Sequence, residues 1–193
     1  MTPATRVVVF GSASWNTMVH VEAFPPPRPG SVFPSRWHET VGSSGAGTAM
    51  NLARLGLDVT LHCLLGDDEA GSRVRAGLTA AGVTVHAVAD PTGTGRHVNL
   101  MDAGGERLSY MLHTGDPAAR YDPGRVERLV AAADHAVVGI VDQARVVIPV
   151  ARRLGKATWT DLHATDGVRE YEHDFLEADH VFFSAERLPD PRP

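Results

Sequence analysis

Two short stretches carry the polar groups best placed to hold a ligand. Ser12, Ala13, Ser14, Trp15 and Asn16 follow the apolar run of residues 6–10, and Gly42, Ser43, Ser44, Gly45, Ala46 and Gly47 precede an apolar, helix-forming segment. Glycines let a ligand approach backbone N–H groups closely, and serines add hydroxyl partners. Ser14, Asn16, Gly42, Ser43, Ser44 and Gly47 therefore read as the wall of a polar pocket for a ligand with several hydroxyls. Taken alone, the glycine-serine stretch is also explained as a tight strand-to-helix connection. Asp67 and Asp68 read as helix N-cap residues rather than metal ligands, because a side-chain oxygen there satisfies an orphan N–H. The ten histidines show no His-x-x-x-His spacing, and no metal site is expected, Asp161 with His163 included. Cys63, the single cysteine, lies in an apolar stretch and reads as a small buried hydrophobe.

The elements that must position these groups follow from periodicity. Residues 6–12 form a β-branched run ending in glycine, as expected of a buried central strand. Residues 15–22 and 31–40 read as two extended pieces around a turn, because four prolines within 25–29 forbid ladder pairing. A helix is expected from Ser43 or Ser44 as N-cap to about Leu55, then a strand over 58–65, a helix capped at 66–68 and ended by Gly82, and a strand over 83–89. Residues 96–102 and 107–113 flank Gly104-Gly105 as a hairpin. Helices over 122–133, 149–154 and 168–176 alternate with strands over 136–141, 156–161 and 180–183, with Pro149 in a first turn or kink.

This alternation predicts an α/β fold, a parallel sheet with helices on both faces. Residues 15–38 and 96–113 break the alternation and are expected to form a separate small sheet. One domain over 1–187 and an irregular tail over 188–193 complete the organisation. In such a sheet ligands collect beyond the carboxyl ends of the strands, where the two polar stretches are delivered.

Composition narrows the function. The 193 residues are 43% hydrophobic and 21% charged, with a formal charge of −5 and no basic cluster. Neither nucleic acid nor an anionic membrane surface is an expected partner. The apolar segments are too short to span a bilayer and no leader-like segment opens the chain, so a cytoplasmic protein is expected.

These residues resemble the ribokinase-like (PfkB) carbohydrate kinases. The opening GSASWNTMVHVEAFPPPRPG is similar to that family's first strand and lid; VGSSGAGTAMNLARLG at 41–56 is similar to its glycine-pair signature. LLGDDEAG at 64–71, AAGV, PTGTG and DAGGER follow in the family's order. The resemblance implies a kinase that phosphorylates a hydroxyl of a sugar or nucleoside with ATP and Mg²⁺, beneath a small β-sheet lid. It also implies Trp15, Trp37, His97 and Asn99 as lid residues closing over the ligand, although burial between lid and sandwich explains the tryptophans equally. Asp161 and Ser184 are implied near the phosphates, and pairing of lids implies a homodimer.

Departures from the pattern are specific. Asn16 stands in place of an aspartate, Ser43 in place of a second glycine, Gly47 in place of an asparagine, and Ser184 and Arg187 in place of an Asn-x-x-Glu pair. They count against recognition of an ordinary ribose or fructose and against standard Mg²⁺ coordination. The family's late Gly-Ala-Gly-Asp segment, which would bring the catalytic base, is not among these residues, so no catalytic residue is expected here. The expectation is a kinase chain lacking its ATP-site part; the alternative is a non-catalytic carbohydrate-binding or regulatory module of the same fold. A dinucleotide-binding oxidoreductase fails on the glycine spacing after the first strand.

Overall fold

The computed structural model describes residues 4–164 and 170–185. Its main sheet has six parallel strands, β1 (Arg6–Phe10), β4 (Asp58–Leu65), β5 (Val83–Ala89), β8 (His135–Val138), β9 (Ala157–Ala164) and β10 (His180–Ser184), in the order β10-β9-β8-β1-β4-β5. A second, four-stranded sheet is built from β2 (Ser14–His20), β3 (Arg36–Gly42), β6 (Gly95–Met101) and β7 (Arg107–His113), in the order β3-β2-β6-β7.

Strand alternation divides the core in two. Val7 and Val9 of β1 join Val59, Leu61 and Cys63 under α1 (Ser44–Arg54) and α2 (Glu69–Ala80), through Ala46, Ala49, Val74 and Leu78. Val8 and Phe10 point the other way, to Val126 and Val130 of α3 (Pro123–Ala132) and Val147, Ile148 and Val150 of α4 (Val147–Arg153). Both faces of β1 are thus covered, which is why residues 7–10 are uniformly apolar, while Arg6 at its exposed start pairs with Asp134. The chain builds outward to β5 on one side of β1 and to β10 on the other. The strand order reverses at β1, and a crevice opens there at the carboxyl edge. Burial pushes the Cys63 thiol up to about 12, so it is inert at neutral pH.

The small sheet is held to the large one at its root. β2 leaves β1 after only three residues, and its first residue, Ser14, pairs with Gly42 at the end of β3 and with Gly95 at the start of β6. Asp68 caps α2 through Gly71 N at 2.7 Å, and the same carboxylate takes Thr94 N at 2.8 Å and Thr94 Oγ1 at 2.7 Å. Asp90 accepts from Thr92 N and Thr92 Oγ1 at 2.9 and 2.6 Å, and from Asp116 N at 2.9 Å. Two carboxylates therefore fasten the turn entering β6 and the turn leaving β7. Asp67, expected as a cap alongside Asp68, is exposed and makes no cap hydrogen bond.

Several expected boundaries move. Residues 31–35 are not strand; β3 begins at Arg36 and runs to Gly42, because pairing with β2 sets its length. β8 stops at Val138, where the chain turns at Gly139 into a short 3-10 helix, Asp142–Ala144. The helix expected over 168–176 is a 3-10 helix, Glu170–Glu177. Arg187 and the tail 188–193 lie outside the described residues. Beside β8, β9 and β10, Trp159 stacks on His180 at 3.8 Å and parallel to Phe182, next to an open cavity of about 460 Å³.

Candidate functional site

The small sheet, the start of α1 and the end of β9 enclose a cleft of about 710 Å³ at the carboxyl edge of the main sheet. Alternate residues of each strand face it: Asn16 and Met18 of β2, His38 and Thr40 of β3, His97 and Asn99 of β6, and Arg107, Ser109 and Met111 of β7. Gly42, Ser43, Ser44 and Gly47 line it from the turn into α1, and Asp161 and His163 from β9. The two polar stretches of the sequence thus meet in one place.

At the root of the cleft the polar groups form a row. Ser14 Oγ donates to Asn16 Oδ1 at 2.6 Å and lies 2.7 Å from Ser43 Oγ. A hydroxyl has one proton, so with Ser14 donating to Asn16 it is Ser43 that donates to Ser14. The chain fixes Asn16 with its carbonyl occupied and its amide NH₂ turned over Gly42. A Cβ on Gly42 would stand 2.0 Å from Asn16 Nδ2, so only glycine fits beneath it. The amide of Asn16 therefore offers N–H donors at this point of the lining, where an aspartate would carry only acceptors.

Ser43 stands at the N-cap position of α1, yet makes no side-chain cap hydrogen bond. Its φ of 73° and ψ of 155° lie in a region that only glycine enters freely, at a cost of about 1–3 kcal/mol for other residues. The hydroxyl spent on Ser14 explains the missing cap. Ser43→Gly is expected to raise stability by about 1 kcal/mol, the relief of strain exceeding the lost hydrogen bond and the added chain entropy. Ser43→Ala keeps the strain, loses the bond and should fall below the parent by about 1 kcal/mol. Urea denaturation of the three proteins reads this order; an alanine variant more stable than the glycine variant would contradict it.

Asp161 Oδ1 accepts from His163 N at 2.8 Å, and His163 itself has φ of 61°. Ser184 ends β10, exposed and outside the lining of the cleft. Among the described residues no group of three His, Cys, Asp or Glu side chains comes together to hold an ion.

Trp15 and Trp37 do not line the cleft. They occupy the opposite face of the small sheet, where Arg73 of α2 lies 5.5 Å over the Trp15 ring and binds Glu39 at 3.0 Å. Trp15 is half-buried against α2, and Trp37 is 65% exposed. Conversely, Met18, His38, Thr40, Arg107, Ser109 and Met111 line the cleft without having been singled out in the sequence. Period-two alternation from Asn16 and His97 is the signal that finds them. Burial first, and then the nearby Arg107 charge, lower the His97 pKa, so its ring is neutral at pH 7.

The pfkB family carbohydrate kinase model matches residues 4–149. The acarbose 7(IV)-phosphotransferase of Actinoplanes sp. is 35% identical over 195 residues, covering 98% of this chain and 64% of its own length. The solved structure of a microbiome-derived acarbose kinase superposes with a TM-score of 0.86 at 32% identity, over 98% of this chain and 64% of that one. A putative ribokinase from Agrobacterium tumefaciens shares the fold, with a TM-score of 0.75 at 24% identity over 94% of this chain and 60% of its own. The chain thus spans a little under two thirds of the length of these relatives.

Proposed function

The chain belongs to the pfkB family of carbohydrate kinases, and we propose that it supplies the acceptor-binding cleft of an ATP-dependent kinase that phosphorylates a carbohydrate hydroxyl. The observation that carries this reading is the junction of the Ser43–Ser14–Asn16 row with the start of α1 and Asp161 in a single cleft. Phosphoryl transfer asks a protein mainly to hold the attacking hydroxyl in line and to keep water out. In this reading the Asn16 N–H and the Ser44 hydroxyl, both in the lining, orient the acceptor hydroxyl, and the small sheet roofs it. Family membership implies ATP as the donor. Mg²⁺ is ordinarily held by one or two carboxylates together with water and substrate phosphates, and among the described residues Asp161 is the carboxylate that lines the cleft.

The lining supports a carbohydrate rather than a nucleoside. Amides, hydroxyls and imidazoles dominate it, and no Phe, Tyr or Trp among the described residues offers a stacking platform for a base. Two of the relatives carry acarbose in their names. The volume also exceeds what one hexose requires and falls within the range of drug-sized ligands. We therefore assign an oligosaccharide-like acceptor. On the opposite face of the small sheet, Trp37, Leu108, Tyr110 and Leu112 are 41–65% exposed, which supports a homodimer joined through the two lids. A monomer in sedimentation velocity would count against that pairing.

A thermal-shift screen of the 193-residue chain against monosaccharides, oligosaccharides and nucleosides tests the site. A sugar is expected to raise the unfolding midpoint, by selective binding to the folded state. Hydrogen exchange should then slow at residues 14–16 and 42–47. Protection confined to residues 120–185, or a response to nucleosides alone, would refute the assignment. No helix among the described residues is long and apolar enough to cross a membrane.

A further inference from the structure

We propose that the small sheet carries a distal subsite, built by Asn99, Met18 and Ser109 with Arg107 at its mouth, that takes the second ring of an oligosaccharide acceptor. The inference rests on the reading of the cleft as a carbohydrate site and adds where, and by which residues, an acceptor longer than one ring is held.

Register sets the length of this subsite. Met111 pairs with His97, which pairs with Asn16; Arg107 pairs with Met101, which pairs with His20 at the far end of β2. Met111, Ser109 and Arg107 all line the cleft, so it continues along β7 for four residues, about 13 Å. One ring seated at Asn16 leaves this stretch of wall without a ligand.

The chemistry of the wall specifies what fits. Asn99 is 5% exposed, and its Oδ1 is taken by Ser109 Oγ at 2.6 Å. Its amide nitrogen reaches only the Met18 sulfur, at 3.4 Å. A thioether is a weak acceptor, so a desolvated N–H is left facing the cleft without a strong partner. An oxygen of a bound ring supplies that partner. Met18 lies beside it, paired with Asn99 across the two strands and lining the same wall. Methionine is an adaptable apolar surface, suited to the C–H face of a ring whose hydroxyls point elsewhere. Arg107 is exposed and has no carboxylate partner among the described residues, leaving its five donors for ring oxygens. His97 pairs with Asn16 and with Met111, so His97 and Met111 belong to the proximal end of the cleft, and Asn99, Met18 and Ser109 are the level between that end and Arg107.

Asn99 N–H and Arg107 both donate, so the second ring is recognised through its acceptor oxygens. A cationic ring at this position is disfavoured by Arg107.

Calorimetric titration of the 193-residue chain with glucose, maltose and maltotetraose tests the subsite. Affinity is expected to rise roughly tenfold from glucose to maltotetraose, with most of the gain already present in maltose. Arg107→Gln alters an exposed side chain and Ser109→Ala removes a single hydroxyl from the cleft wall, and both leave the core intact. Each is expected to remove most of the maltotetraose-to-glucose ratio, whereas Asn16→Ala should weaken all three sugars and preserve the ratio. Equal affinity for glucose and maltotetraose, or variants that weaken all three sugars in proportion, would overturn the distal subsite while leaving the proximal one standing. Binding of none of the sugars would instead overturn the carbohydrate reading of the cleft, and this inference with it.

Discussion

Gly45→Ala should lower the thermal midpoint by about 6–12 °C, while the same change two residues later, Gly47→Ala, should raise it. A Cβ on Gly45 would stand 2.7 Å from both Ser12 N and Ser12 O and 2.8 Å from the Gly11 carbonyl carbon. All three are backbone atoms of the segment leaving β1, so no side-chain rotation relieves the overlap. The helix must move away from the central strand, straining the bond from Ala46 N to Ser12 O, now 2.9 Å. Overpacking of this kind costs about 3 kcal/mol, and each kcal/mol shifts the midpoint of a chain this size by about 2–4 °C. Gly47 has nothing within 4 Å of its missing Cβ and sits in the same helix, where alanine is favoured over glycine by about 1 kcal/mol. Differential scanning calorimetry of the two variants checks the opposite signs. A Gly45→Ala protein that melts with the parent would show that the turn into α1 is not packed on β1 as described.

Asp90→Ala should cost about 3 kcal/mol and release the small sheet before the rest of the molecule. Asp90 is 3% exposed, and its carboxylate holds Thr92 N, Thr92 Oγ1 and Asp116 N. Removing it leaves the Thr92 and Asp116 amides without their acceptor, while the Thr92 hydroxyl keeps His113 Nε2 at 3.1 Å, and hydrogen bonds to a charged group are each worth about 1.5–3 kcal/mol. Burial alone would raise the Asp90 pKa. The hydrogen bonds from Thr92 and Asp116 outweigh it and hold the carboxyl below its ordinary value of 3.8. At the other root, the Thr94 and Gly71 amides hold the Asp68 carboxyl low as well. Both groups have folded pKa values depressed relative to the unfolded chain. Their stabilisation is therefore complete above the ordinary carboxylate range and is lost as pH falls through the depressed values. Hydrogen exchange of β6 and β7 should accelerate in Asp90→Ala at neutral pH, and in the parent below about pH 3.8. If β6 and β7 exchange no faster than β1 under either condition, the carboxylates do not hold the lid roots.

Much of the architecture is legible in the residues. The apolar run of β1, the glycine punctuation at Gly56 and Gly82, and the hairpin around Gly104-Gly105 each carry a local signal. The parallel sheet and the detached second sheet follow from their order. The polar pocket at Ser14, Asn16 and 42–47 is legible for a related reason, because each stretch ends a strand or begins a helix at the same edge. The role of Asp68 beyond capping, and that of Asp90, is not legible. Their partners Thr94 and Asp116 are both 26 residues away, and no local pattern announces a contact at that separation.

The sequence by itself determined most of the segments that become strands and helices, and therefore the fold class, because period-two and helical patterning and turn residues act locally; the family is carried by the ordered motifs at 41–56 and 64–71. It also determined that each strand of the small sheet has two faces. Only the tertiary structure decided which face looks inward. Packing of Trp15 and Glu39 against Arg73 of α2 turned the tryptophans away from the cleft and brought Met18, Arg107 and Met111 toward it. The strained backbone of Ser43, whose hydroxyl meets Ser14, is likewise visible only in the fold. Alternation fixes that neighbouring side chains point to opposite sides. Which side becomes a binding wall depends on what the rest of the molecule packs against the other.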